Sequence, residues 1–160
     1  MNEKNIRIAV IVADLFEAAS AFLGAVGLVV GFMNIPVSVL DGTIFADFTV
    51  PALLLGVVVG GSALAAAVIA AFRFWPRHFD ALASAVAGCI TVGWLTIEMM
   101  LIGLGSWAQV FWLVVGVVMI GLAALLWQAE SYAAALRARQ QPVWLAVFEG
   151  ECLLALRHRS

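Results

Sequence analysis

The sequence predicts an all-α protein, a four-transmembrane-helix bundle with both termini on the cytoplasmic side, a partly ordered apolar outer loop and a cytoplasmic C-terminal helical tail. Three observations predict it. The 160 residues are 65% hydrophobic and only 11% charged, whereas a soluble domain is roughly half apolar and about a quarter charged. Four apolar runs each exceed the ~20 residues needed to cross a ~30 Å hydrocarbon core. All eight Lys and Arg residues fall on one side of the resulting topology: Lys4, Arg7, Arg73, Arg77, Arg137, Arg139, Arg157 and Arg159. Short loops rich in Lys and Arg stay in the cytoplasm, which sets the orientation.

The first span is expected over residues 8–32. Its basic start and Ala19-Ser20-Ala21 imitate a cleaved signal, but Asp14 and Glu17 interrupt the short apolar region and hydrophobicity continues to Phe32. A retained anchor is the better reading. The outer loop that follows is long and apolar. Its Asp41-Gly42 resembles a two-residue hairpin turn, the alternative being an interfacial loop on lipid headgroups. The second span covers residues 50–72, with Pro51 in its first turn where no helical N–H is lost.

The inner loop holds Arg73, Trp75 and Arg77, a basic and aromatic cluster suited to lipid contact. Spans three and four are read at 81–104 and 107–127. Residues 1–128 then form the transmembrane domain and residues 129–160 a cytoplasmic tail; the last helix continues over 128–141, and Pro142 opens a new segment. Cys89 and Cys152 are read as free thiols.

Candidate chemistry is confined to acids. Asp14, Glu17 and Glu98 lie within spans that contain no Lys, Arg or His, so these carboxyls are expected to face the bundle interior and to bond neighbouring hydroxyls or amides. Asp14, two turns from the inner surface, has the alternative of reaching water. Ser84, Thr91, Glu98 and Gly105 recur every seven residues and form one stripe on span three. Span one carries a matching stripe of Glu17, Gly24 and Gly31. Counting ~1.5 Å per residue from the inner ends, Glu17 lies level with Thr91, and Glu98 level with the span-one glycines and within reach of Gln109 or Trp112. The binding candidates are therefore Glu17, Glu98, Thr91, Gln109 and Asp14.

Spacings typical of metal sites are missing, as is a Ser or Cys paired with a His base inside any span. Neither a metal, a cofactor nor nucleic-acid binding is expected. Asp41-Gly42-Thr43-x-Phe45-x-Asp47-Phe48-x-Val50-Pro51-x-Leu53-Leu54-Leu55-Gly56, followed by Trp94-x3-Glu98-x3-Ile102-Gly103, resembles a family of small, uncharacterised four-span bacterial membrane proteins over residues 8–128. That resemblance implies the topology and brings no activity.

The expectation is a non-enzymatic structural or accessory protein of a bacterial plasma membrane. It would contact lipids, form a homo-oligomer or join a larger membrane assembly, and use its buried carboxyls as helix-packing contacts. The alternative is a small proton- or cation-coupled transporter or channel using Glu17 and Glu98. An intramembrane lipid-acting enzyme stands third.

Overall fold

The computed structural model describes residues 3–32, 35–72, 78–104 and 106–140. Arg73, Trp75, Arg77, Gly105 and the segment from residue 141 onward lie outside the described residues. Four helices are long and apolar enough to cross a membrane. They are α1 (Glu3–Val30), α2 (Thr49–Phe72), α3 (Phe79–Ile102) and α4 (Trp107–Gln140). Among the described residues there is no strand.

The helices form a ring in chain order. α1 packs on α2 and α4, α2 packs on α3, and α3 packs most extensively on α4. α1 and α3 therefore stand on a diagonal, and their backbones approach only sparsely. All four helices meet at a core of Ala18, Ala63, Ala66, Ala87 and Met119. Alanines at this centre let the helices close up, which matters where lipid gives no hydrophobic drive to association.

Glycines set the two tightest seams. A Cβ on Gly88 of α3 would lie 2.9 Å from the Gly116 carbonyl oxygen and 2.9 Å from Ile120 Cγ1 of α4. At the α1–α2 seam, Cβ atoms on Gly56 and Gly60 would meet Ala25 and Ala21 at 3.1 and 3.3 Å. Gly56-x-x-x-Gly60 thus serves packing within the chain. The same stretch, Leu54–Gly60, is wound as a π-helix, with the Gly61 N–H reaching back to Gly56 O. Gly24 packs toward Leu55 of α2, so the span-one glycine stripe turns partly away from α3.

Local chemistry explains the helix ends. The Thr49 N–H donates to Asp47 Oδ1 at 2.8 Å just before Pro51, supplying an acceptor that the first turn of α2 needs. α3 stops at Gly103, whose φ of 78° suits glycine at a helix end. α4 opens with a side-chain cap at both ends of its first turn: Ser106 Oγ accepts the Ala108 N–H at 3.2 Å, and Gln109 Oε1 accepts the Ser106 N–H at 3.3 Å. α4 then runs for 34 residues, about 51 Å at 1.5 Å per residue.

The loop between α1 and α2 forms no hairpin among its described residues. Val37–Leu40 forms a 3₁₀ turn, and the Thr43 N–H closes on Leu40 O at 2.9 Å. Gly42 does take a positive φ, 85°. A short turn closed on itself satisfies these backbone groups locally, and an isolated two-stranded hairpin is marginal without a third element.

Candidate functional site: a polar file along the bundle diagonal

α1 places Glu3, Arg7, Val10, Asp14, Glu17 and Ala21 three or four residues apart, so they share one face. α3 does the same with Asp80, Ser84, Ala87, Thr91 and Leu95. Both helices run the same way along the bundle, and side chains from the two faces bridge the diagonal at three levels. Arg7 Nε donates to Asp80 Oδ2 at 3.1 Å. Ser84 Oγ donates to Asp14 Oδ1 at 2.9 Å. Thr91 Oγ1 lies 3.2 Å from Glu17 Oε1. The paired positions are 73, 70 and 74 residues apart in sequence, a nearly constant offset that two parallel helices in register require.

The first level is a charge network at the end of the bundle where α3 begins. Arg7 Nη2 donates to Glu130 Oε1 of α4 at 2.6 Å and to Glu3 Oε1 at 3.2 Å. Only 11% of the Arg7 side chain is exposed, with 9% for Asp80 and 5% for Glu130. Glu130 also accepts the backbone N–H of His78 at 3.0 Å. His78 caps α3 at a φ of 72°, in the left-handed region that a non-glycine residue enters at a cost of about 1–2 kcal/mol. Glu130 and the tilted packing of the His78 ring against Trp127, at 4.5 Å between centroids, hold it there. His78 Nδ1 lies 3.1 Å from Glu130 Oε2 but is not aligned to donate to it.

The second and third levels are the candidate acids. Asp14 is fully buried and Glu17 is 3% exposed. Asp14 therefore does not reach water, contrary to its sequence alternative, because its face of α1 points at α3 and not at the bundle end. No donor reaches Asp14 Oδ2 or Glu17 Oε2 among the described residues. An apolar plug of Ile6, Val10, Ala81 and Leu126 separates Asp14 from the Arg7 network.

Glu98 stands apart. It is half-buried and accepts a bond from Gln109 Nε2 at 3.2 Å. The same Nε2 lies 3.4 Å from Gly103 O, while Gln109 Oε1 serves the α4 cap. Gln109 thus fastens the α3–α4 turn, and Glu98 belongs to that fastening. The polar neighbour of Glu98 is α4, not the glycines of α1. Ser84, Thr91, Glu17, Asp14, Glu98 and Gln109 all make interhelical or turn contacts, whereas Arg73, Trp75 and Arg77 are outside the described residues.

Arg7, Asp80, Glu130 and His78 are absent from the sequence-derived candidates. The signal for α1 was present, since Glu3, Arg7, Asp14 and Glu17 lie four, seven and three residues apart and so share one helical face. The partners of Arg7 lie 73 and 123 residues away, and nothing local announces them. No cluster of three or more His, Cys, Asp or Glu suited to a metal occurs among the described residues. Cys89 is a free, exposed thiol. No known family, curated protein or solved structure matches the chain.

Proposed function

We propose that the chain is a four-span integral protein of a bacterial plasma membrane, with both termini in the cytoplasm, and that it acts as a non-enzymatic structural or accessory subunit. The observation that carries this reading is where the interior polar groups are engaged. Asp14 bonds Ser84, Glu17 bonds Thr91, Arg7 bonds Asp80 and Glu130, and Glu98 bonds Gln109. Each bond joins two helices, as expected of polar side chains that hold a bundle in lipid. The sequence puts every Lys and Arg before the apolar part of α1, between α2 and α3, or after the apolar part of α4, which supports the orientation.

A partner, a second copy or a larger assembly, is part of the same proposal. α4 continues ten residues past Glu130, about 15 Å, carrying Tyr132 and Leu136, 68% and 43% exposed. A helix that leaves its own bundle with such side chains offers a surface for another chain. The test is purification from native membranes in mild detergent, followed by mass spectrometry and a flux assay in proteoliposomes. The expected result is a stoichiometric partner or a homo-oligomer and no ion flux. A partnerless monomer that conducts protons or cations, and loses conduction in Glu98→Gln, would favour transport instead.

A further inference from the structure

The end of the bundle opposite Arg7 holds a cleft in which the polar file has no part. Its volume is about 280 Å³, and it lies where α1 stops, between that helix, the loop that follows and the start of α2. Such a volume is at the lower edge of the ~300–1,000 Å³ common for small-molecule sites. Two glycines leave the space open, since Gly27 and Gly31 line it without side chains. Gly31 takes a φ of 74°, which turns the chain out of the helix, and a Cβ there would meet nothing within 4 Å. Leu28, Ile35, Val37 and Phe48 supply apolar walls. Ile35 and Val37 stay 40% and 55% exposed, so the loop carries apolar side chains that its own fold does not cover.

The polar side chains of the cleft are Asp47 and Thr49. Asp47 Oδ1 accepts the Thr49 N–H at 2.8 Å, which fixes the carboxylate at the head of α2. A carboxylate has two oxygens and about four acceptor sites, so one N–H leaves most of them open. No basic side chain answers it. The sequence has no Lys, Arg or His between Arg7 and Arg73, or between His78 and Arg137, and Asp47 is in no ion pair among the described residues. In the orientation proposed above, this end of the bundle faces outward. The end of α1 and the loop then stand where hydrocarbon gives way to headgroups. An occupant of matching chemistry has an apolar chain for the walls and a cation for the acid.

We propose that this cleft binds a lipid with a primary-ammonium headgroup, of the phosphatidylethanolamine class, with the upper part of an acyl chain against the apolar walls and the ammonium donating to Asp47. A primary ammonium has three N–H donors and forms a charge-assisted bond with a carboxylate. Phosphatidylglycerol carries a net negative charge and no cation, so the same carboxylate repels it. The inference rests on the membrane reading of the chain and is independent of its accessory role.

The experiment titrates the purified full chain in mild detergent with dioctanoyl phosphatidylethanolamine or dioctanoyl phosphatidylglycerol, at equal mole fractions in the micelle, and follows the thermal unfolding midpoint. A ligand bound only by the folded state raises that midpoint as its concentration passes its Kd. The ethanolamine lipid should act at a lower mole fraction than the glycerol lipid. Asp47→Asn removes the charge and keeps an acceptor for the Thr49 N–H, because Asn caps a helix as well as Asp does. It should weaken the ethanolamine lipid by roughly two- to five-fold, the effect of one ion pair at an exposed site, and bring the two lipids together. Asp41, the other acid of the loop, does not line the cleft, and Asp41→Asn should leave the preference as it is. Equal responses of the unaltered protein to the two lipids would overturn the proposal, and this arm needs no variant to fold. A preference that persists in Asp47→Asn would overturn it too, as would its loss in Asp41→Asn, which would make it an effect of the loop's total charge. Failure here strikes the cleft alone, whereas cysteine labelling from the wrong side would strike the orientation.

Discussion

Replacing Arg7 by Gln should be among the most damaging single changes outside the apolar core. Arg7 is the one cation in contact with Asp80 and Glu130 among the described residues, apart from His78 when protonated. Both carboxylates are nearly sealed from solvent, at 9% and 5% exposed. Removing one partner of a buried ion network leaves the others uncompensated, which costs about 3–5 kcal/mol. The Arg7–Glu3 pair is different in kind: it joins residues one helical turn apart, and Glu3 is 24% exposed. Pairs of that sort contribute about 0.3–0.5 kcal/mol. Arg7→Lys keeps the charge but not the two-pronged geometry that reaches Asp80 through Nε and Glu130 through Nη2, and should fall between. The assay is equilibrium unfolding of the purified protein in mixed micelles, followed by tryptophan fluorescence, because Trp127 sits against His78 at the edge of the network. Adding Asp80→Asn and Glu130→Gln to Arg7→Gln should recover much of the loss, since the orphaned charges go with it. If Arg7→Gln loses no more stability than Glu3→Gln, the network is solvated and Arg7 does not compensate buried charge.

Three further outcomes are expected, two from the geometry and one from the proposed orientation. Gly88→Ala should cost about 1–3 kcal/mol by overpacking the α3–α4 seam, because its Cβ would lie 2.9 Å from the Gly116 carbonyl oxygen. Gly93→Ala and Gly121→Ala meet nothing within 4 Å and should leave unfolding unchanged in the same titration. Ser106→Ala removes the side-chain half of the α4 cap and should cost about 0.5–2 kcal/mol, with faster amide exchange confined to the first turn of α4. In single-cysteine variants of a Cys-free background, Ser38 and Thr43 positions should label from outside intact cells. Positions 77 and 139 should label only after permeabilisation, and labelling of Arg77→Cys in intact cells would reverse the proposed orientation.

Helix number and extent could be read from the sequence because hydrophobic length is a local property. The expected spans differ from the helices by only a few residues, except at the two ends where polar turns continue them. α1 begins at Glu3 and not at residue 8, because Glu3 and Arg7 are drawn into the bundle end. The level of Glu17 with Thr91 followed from equal rise per residue in two helices running the same way. What the sequence withheld was rotation and pairing. Gly24 shares a stripe with Glu17, yet it packs toward Leu55, since the close approach of α2 at Gly56 and Gly60 governs how α1 is turned. Arg7 reads from sequence as a topology signal alone. Its burial depends on Asp80 and Glu130, which only the assembled ring brings near. The Ser106-x-x-Gln109 spacing was a readable cap, and it assigns Gln109 to the turn before any binding role.

The central claim is that interior polar side chains join α1 to α3 across the diagonal, where the backbones themselves barely meet. The most direct test is a double-mutant cycle on the shortest neutral-donor bridge, Ser84 to Asp14 at 2.9 Å. Asp14→Ala, Ser84→Ala and the double variant are unfolded under one set of conditions. Interhelical hydrogen bonds in membrane proteins couple by about 0.6 kcal/mol on average and up to about 1.7 kcal/mol, and the bridge should give a coupling energy in that range. Strictly additive losses would mean that the two side chains do not act on each other, and the diagonal bridge would be contradicted.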